Sequence, residues 1–119
     1  MDVNFDAAIL AHSRWEKRLA DLIEGESTEV LDPEKVGRDD QCDLGKWIQS
    51  VPPEVQKDSD FGKLVAEHSA FHHQAALITR LVQKGDLVSA RDGIGLSSEY
   101  LRKSTAVINL IGTLRHRIR

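Results

Sequence analysis

The sequence predicts an all-α fold, an antiparallel bundle of four helices of which one is short. Apolar residues recur at intervals of three and four along most of the chain, which is the period of an α-helix. No segment shows the alternating pattern of a strand, and the segments that join the helices are of modest length. With 119 residues, 40% of them hydrophobic, the chain has room for one domain over residues 1–119.

The first helix is predicted over residues 3–24. Its apolar stripe includes His12 and Trp15. Asp2 or Asn4 can cap its beginning, because a short polar side chain there accepts from the free backbone amides of the first turn.

A connection follows over residues 25–41, where glycine, proline and polar residues interrupt the apolar period. It has room for one helical turn after Asp32, with Pro33 at the first helical position. A short helix is predicted over residues 42–48. It ends before Pro52, because the residue that precedes a proline avoids the helical conformation.

Two longer helices complete the predicted bundle. The first covers residues 59–84, and Gly85 fits the position after its last turn. The second is predicted as one helix over residues 86–115. Gly93 and Gly95 weaken this last helix, each by about 1 kcal/mol relative to alanine.

The composition argues against several classes of protein. A net charge of -3 does not suit nucleic-acid binding over the whole surface. No apolar run reaches the roughly 20 residues of a membrane-spanning helix, and the N-terminus lacks the pattern of a signal peptide. The single cysteine, Cys42, cannot form an internal disulfide. We therefore expect a cytoplasmic protein that does not insert into a membrane.

Histidines on the apolar stripes are the first candidates for chemistry. His68 and His72 are four residues apart, so they project from one face of a helix, one turn apart. This spacing lets one helix present two imidazoles to a single metal ion. His12 lies on the stripe of the first helix, whereas His73 should point elsewhere and His116 lies in a basic tail.

The residues leave a second interpretation of these histidines open. A single histidine on an apolar face is more often a hydrogen-bonded core residue than a metal ligand. Three buried imidazoles are harder to explain in that way, because each unpaired polar group costs on the order of 1–3 kcal/mol. A shared metal ion would satisfy one nitrogen of each ring.

Cys42 is the fourth candidate ligand. A lone cysteine is usually a small buried hydrophobe. Cys42, however, falls at the start of a predicted helix, where backbone amides stabilise the thiolate that binds metals. Together, His12, Cys42, His68 and His72 form a set of three nitrogens and one sulfur that suits a tetrahedral Zn²⁺ ion. Four protein ligands leave no position for a reactive water, so we do not expect an enzyme.

Other chemistries have less support in the sequence. A cysteine–histidine nucleophile lacks an evident oxyanion hole or orienting third group. A hemerythrin-like di-iron carrier needs inward carboxylates, and Glu67 directly precedes His68 instead of lying three residues before it. Trp15 and Trp47 are candidates for core packing, for walls that exclude water from the site, or for both.

Three segments resemble, in order, the signature of the chemoreceptor zinc-binding (CZB) domain family. They are His-Ser-Arg-Trp at 12–15, Cys-Asp-Leu-Gly-Lys-Trp at 42–47 and His-Ser-Ala-Phe-His at 68–72. The family pattern is an HxxW, a CxLGxW or CxFGxW, and a later HxxxH. The ordered triplet is far more specific than HxxxH alone, and the resemblance extends from the first helix into the last.

The resemblance implies a helical bundle, often a homodimer, that binds zinc through His12, Cys42, His68 and His72. It also implies a bacterial signalling role, in which the domain is attached to a chemoreceptor or a diguanylate cyclase. The family is implicated in sensing zinc and, through the zinc-bound cysteine, oxidants such as hypochlorous acid. Since the chain has no room for a receptor coiled coil or a cyclase domain, we expect a standalone member or one domain of a longer protein.

A rival hypothesis is a metal-free helical module that dimerises or docks on another bundle. Exposed apolar positions on the predicted last helix motivate it.

Overall fold

The computed structural model describes residues 4–26, 32–38 and 43–118. Within these ranges the regular structure is α-helical, without a strand, so the predicted all-α class is confirmed. None of the helices in these ranges combines the length and the apolar character needed to span a bilayer. In chain order, the helices are α1 (Phe5–Ile23), α2 (Pro33–Val36), α3 (Asp43–Ser50), α4 (Pro53–Gln56), α5 (Ser59–Gln83), α6 (Leu87–Asp92) and α7 (Glu99–Ile118).

The long helices α1 and α5 begin and end close to the predicted positions. Oδ1 of Asn4 accepts a hydrogen bond from the backbone N–H of Ala7 at 2.9 Å and caps α1. Gly25 and Gly85 follow the two helices with φ angles of +74° and +80°. After each glycine the chain turns back and donates to carbonyls of the last helical turn. Glycine suits this left-handed closure because it has no Cβ.

The connection after α1 contains the predicted helical turn, α2. Oδ1 of Asp32 accepts from the N–H of Glu34 at 3.0 Å, and Pro33 is the first helical residue. The short helix α3 ends before the two prolines, as predicted. Pro53 also begins α4, a helical turn that was not predicted from the sequence.

The prediction of one last helix over 86–115 is wrong, because the structure has two helices, α6 and α7. Gly93 and Gly95 lie in the break between them. Glycine destabilises a helix, because its backbone loses more conformational entropy on becoming helical than the backbone of any other residue does. Ser98 then starts α7, where its Oγ accepts from the N–H of Leu101 at 3.1 Å.

Helix α7 runs antiparallel to α1. The Arg115 guanidinium near the end of α7 pairs with the Asp6 carboxylate near the beginning of α1. Further along, Ser104 of α7 contacts His12 of α1. Because residue numbers rise along α1 while they fall along α7, the two chain directions are opposite.

Helix α7 is also antiparallel to α5. The Lys103 ammonium lies 3.0 Å from the Glu67 carboxylate, and the Tyr100 ring packs against the Phe71 ring with centroids 5.0 Å apart. The side chains of α7 therefore meet both other long helices, and α1 and α5 run in the same direction.

Buried apolar side chains form two clusters along these three helices. The first includes Phe5 and Leu64, and the second includes Leu19 and Phe71. Trp15 packs against both clusters. The candidate histidines of α1 and α5 lie along the stretch where the first cluster gives way to the second, so the fold puts a polar layer between two apolar ones.

Candidate metal centre

Three of the four predicted ligands lie in this polar layer and are almost fully buried. The exposed fractions of His12, His68 and His72 are 1%, 2% and 0%. Burial, and then the neighbouring His72, lower the pKa of His12 to about 4. Burial, followed by His72 and His12, lowers the pKa of His68 to about 3. Both rings are therefore neutral near pH 7, and each has a nitrogen lone pair available.

The two histidines of α5 face each other. Nε2 of His68 lies 3.0 Å from Nε2 of His72, and the two rings are nearly perpendicular, at 89°. Two nitrogens bound to one tetrahedral zinc ion at 2.0–2.1 Å are about 3.3 Å apart. The observed separation is close to that value, so the predicted HxxxH pair has a geometry that suits a shared metal ion.

A backbone carbonyl sets the orientation of the His72 ring. Nδ1 of His72 lies 2.7 Å from the carbonyl oxygen of Val36, at the end of α2. A carbonyl only accepts, so Nδ1 carries the proton and Nε2 of His72 holds the lone pair. Metal-binding histidines commonly donate their other ring N–H to a carbonyl in this way. The orientation of His72 therefore suits a zinc ligand.

His12 is close to the α5 pair but has other partners. Its Nε2 lies 2.8 Å from Oγ of Ser104 and 3.6 Å from Oε1 of Glu16. Since burial keeps His12 neutral, the contact with Glu16 is not an ion pair at neutral pH. The His12 ring packs against Phe71, with centroids 4.4 Å apart, and Phe71 packs in turn against His72.

The structure brings together only part of the predicted ligand set. Within residues 4–26, 32–38 and 43–118, no group of three or more histidine, cysteine, aspartate or glutamate side chains is gathered closely enough to hold a metal ion. Cys42, the predicted sulfur ligand, lies outside the described residues. His73 is exposed, as its position one residue past His72 predicted.

The two tryptophans have different positions relative to the histidines. Trp15 packs edge to face on His72, with centroids 5.4 Å apart, and the Arg18 guanidinium lies over the indole at 4.2 Å. Trp15 therefore covers one side of His72 and also packs in the core, so both of the roles considered for it are compatible with its position. Trp47 packs edge to face against Phe5, with centroids 5.6 Å apart, in the first apolar cluster.

Comparison with family models identifies the family of the chain. The model described as the chemoreceptor zinc-binding domain (CZB) matches residues 12–79, more than half of the chain. The chain belongs to the CZB family. A search of curated proteins and a search of solved structures each returned no match.

The CZB match begins at His12 and includes Cys42, His68 and His72, so it contains the full predicted ligand set. Helix α7 lies beyond the matched residues, although it contributes Ser104 to the histidine layer.

Four residues around the histidines of this CZB member were not predicted from the sequence. They are Glu16, Val36, Tyr100 and Ser104. Glu16 follows His12 by one helical turn, a spacing that could have identified it. No local pattern signals Ser104, which is 92 positions from His12 in the chain.

Proposed function

We propose that this chain is a zinc-binding sensory domain whose ligands are His12, Cys42, His68 and His72. The observation that carries the proposal is the pair of facing Nε2 atoms on α5, supported by the bond from Nδ1 of His72 to a backbone carbonyl. Membership of the CZB family, whose model matches a range that contains all four positions, adds to it.

The chain's own residues prepare this site in three ways. Burial keeps His12 and His68 neutral, so no proton has to be displaced from a charged imidazole at pH 7. The Val36 carbonyl holds His72 with its Nε2 lone pair towards His68. Trp15 and the two apolar clusters exclude water. Bound zinc supplies the positive charge that keeps a cysteine sulfur deprotonated.

We propose that Cys42, which immediately precedes α3 in the sequence, is the fourth ligand of the site. We also propose that α3 is the short fourth helix of an antiparallel bundle. The eight residues of α3 follow Cys42 directly in the sequence. Leu44 of α3 is fully buried in the first apolar cluster, which anchors this helix against the bundle.

Metal analysis tests the ligand set. Protein purified without added metal should contain one zinc ion per chain, as measured by elemental mass spectrometry. Cys42→Ala and His72→Ala should contain much less, since each lacks one donor.

His73→Ala is the matched control, because it removes an exposed histidine next to His72 and should keep its zinc. Stoichiometric zinc in both Cys42→Ala and His72→Ala would refute the proposed site.

We further propose that the output is regulatory and that Cys42 is the oxidant-sensitive group. Hypochlorous acid oxidises a thiolate by two electrons to sulfenic acid and is itself reduced to chloride. The oxidised sulfur has lost the negative charge that made it a zinc ligand. Four protein ligands leave no position for a substrate water, which is why we propose a sensor and not an enzyme.

Controlled oxidation tests this second step. One equivalent of hypochlorite should add one oxygen to Cys42, seen by mass spectrometry, and release zinc to a coloured indicator in the same time. His73→Ala should respond like the wild type. If Cys42 is modified while zinc stays bound, the redox proposal fails.

The setting that we propose is a single domain over residues 1–119 that forms a homodimer in the bacterial cytoplasm. A reducing compartment suits a site that needs a free thiolate. The partner class is a signalling protein, either a chemoreceptor, in keeping with the name of the matched family, or a diguanylate cyclase. Cross-linking the purified chain and copurification from its native cells test the dimer and the partner respectively.

Exposed apolar side chains favour one rival, the metal-free interaction module. Val88 of α6 is 71% exposed and Leu96, in the segment before α7, is 92% exposed. A chelator separates the two proposals. Unchanged melting temperature and unchanged partner binding after metal removal would favour the rival.

A further inference from the structure

Three hydrogen-bonding side chains link α1 to α7 beside the candidate metal centre. Oγ of Ser104 lies 2.8 Å from Nε2 of His12 and 2.6 Å from Oε1 of Glu16. Ser104 is 2% exposed and His12 is 1% exposed, whereas the Glu16 side chain is 40% exposed. Water therefore competes little for the bond between His12 and Ser104.

The direction of these bonds follows from the number of protons. The Glu16 carboxylate only accepts, so the single hydroxyl proton of Ser104 goes to Glu16. The Ser104 oxygen has only lone pairs left for His12, and Nε2 of His12 must donate to it. A neutral imidazole has one N–H, so the lone pair of His12 is on Nδ1. His72 has the opposite tautomer, because its Nδ1 donates to Val36.

We propose that Ser104 and Glu16 are positioning residues that hold His12 with its proton on Nε2, so that His12 offers Nδ1 to zinc whereas His72 offers Nε2. This inference rests on the zinc-binding function proposed above. It gives α7 a part in metal binding, although α7 lies outside the residues that the family model matches.

The surroundings of the His12 ring oppose other orientations. The Phe71 ring packs against it at an angle of 54° with centroids 4.4 Å apart. Turning the imidazole by half a rotation would move Nε2 away from Ser104 and break the bond between them. In a buried layer that bond has no replacement from solvent, so its loss is unfavourable.

Nuclear magnetic resonance can read the ring nitrogens directly. Long-range ¹H–¹⁵N spectra of histidine-labelled protein show which nitrogen of each ring holds a proton or a metal ion. In the metal-free protein we expect the proton on Nε2 of His12 and on Nδ1 of His72. After zinc is added, we expect the metal on Nδ1 of His12 and on Nε2 of His72. Zinc on Nε2 of His12 would overturn the inference.

Substitutions at Ser104 test the effect on binding. Ser104→Ala should weaken zinc binding by about 10- to 100-fold in a chelator competition, as loss of a ligand's hydrogen-bond partner typically does. Ser104→Thr keeps the hydroxyl and should restore most of the affinity. Thr79→Val is the matched control, because it removes another buried hydroxyl, one that donates within its own helix to the carbonyl of Ala75. Wild-type affinity in Ser104→Ala would overturn the inference.

A second pair of variants keeps the test decisive if Ser104→Ala does not fold. Glu16 is partly exposed, so the fold should tolerate its replacement. Glu16→Ala removes the acceptor and should weaken zinc binding, whereas Glu16→Gln keeps an accepting oxygen and should bind nearly as well as the wild type. Wild-type affinity in both variants would contradict a positioning role.

The outcomes also separate this inference from the proposed function. A wild-type protein that binds no zinc refutes the function. A metal-free spectrum with the proton on Nδ1 of His12 refutes the tautomer, whatever the zinc affinity is.

Discussion

Buried polar side chains meet where α1, α5 and α7 come together, and most of them have a partner. His72 donates to the Val36 carbonyl, and His12 bonds to Ser104. The Tyr100 hydroxyl differs, because it is buried and has no hydrogen-bond partner in the part of the chain that the structure describes. Burial, and then the Glu16 charge, raise the pKa of Tyr100 well above its usual range. The unpaired hydroxyl therefore lowers the stability of the folded state.

Removing this hydroxyl should stabilise the metal-free protein. Tyr100→Phe keeps the ring contact with Phe71 and removes an unpaired polar group, so we expect the free energy of unfolding to rise by about 1 kcal/mol. Urea denaturation measures it as a higher midpoint with an unchanged slope. Thr79→Val removes a bonded hydroxyl instead and should lower the midpoint. A lower midpoint for Tyr100→Phe would show that the hydroxyl has a favourable partner.

The buried histidines predict how the stability of the metal-free protein depends on pH. The pKa is about 4 for His12 and about 3 for His68 in the folded state, against 6.5 for an ordinary histidine. Below pH 6.5 the unfolded chain takes up protons that the folded chain does not, so the free energy of unfolding decreases as the pH falls from 6.5 towards the folded values. Above pH 6.5 both states are neutral at these histidines and none of this stability is lost. Once the pH has fallen below the folded pKa of His12, the loss in free energy of unfolding from this residue amounts to about 3 kcal/mol.

Denaturation of the chelator-treated protein at pH 7.5 and at pH 5 checks this dependence, since most carboxylates stay ionised over that interval. His68→Gln should reduce the dependence, and His73→Gln should leave it unchanged. Equal stability of the wild type at both pH values would contradict the prediction.

Helix α5 contains one glycine and is followed by another, and the two have different roles. Gly62 is exposed within the helix, and a Cβ there would meet no atom within 4 Å. Gly85 follows the helix with a φ of +80°, a conformation that other residues rarely adopt. The same substitution should therefore have opposite effects at the two positions.

Alanine at each position tests this difference. Gly62→Ala should stabilise the protein by about 0.5–1 kcal/mol, because alanine has less backbone entropy to lose. Gly85→Ala should destabilise it by about 1 kcal/mol or more, because a Cβ strains the left-handed turn. Thermal melts of both variants measure the two effects. A loss of stability in Gly62→Ala would show that the helix depends on the absence of a side chain there.

Element boundaries were predictable where the signals were local. Caps and apolar periods act over about four residues, so the sequence predicted the ends of α1 and α5 to within about two residues. The break between α6 and α7 depends on two opposing effects. Gly93 and Gly95 lose backbone entropy in a helix, which favours a break, whereas the packing of apolar side chains favours helix on both sides of it. The apolar stripe continues across the break, and for that reason the period alone suggested one helix.

The proposed zinc site connects distant parts of the whole molecule. The ligands proposed for it belong to α1, to α5 and to the sequence just before α3, while Val36 of α2 and Ser104 of α7 contact the histidines. A ligand that binds only the folded state stabilises it, by about 2.7 kcal/mol at a free concentration of 100 times its Kd.

Zinc added to the chelator-treated protein should therefore raise the melting temperature by several degrees, with a dependence on zinc concentration. It should also slow amide hydrogen exchange in α1 and α2, as measured by mass spectrometry. His72→Ala should show neither effect, and His73→Ala should show both. A melting temperature that does not respond to zinc in the wild type would contradict this prediction.

The sequence alone was enough to predict an all-helical chain, the burial of three histidines and the membership of the CZB family. These features depend on apolar periods and spacings over a few residues, and on motifs that can be recognised directly in the sequence. His68 and His72 face each other because four residues make about one helical turn.

The choice of partners across the bundle was decided by packing. Ser104 meets His12 only because α7 lies antiparallel to α1, and Phe71 and Tyr100 close the layer only because α5 and α7 pack together. Contacts between residues so far apart in the chain depend on the register of whole helices, which no local pattern encodes.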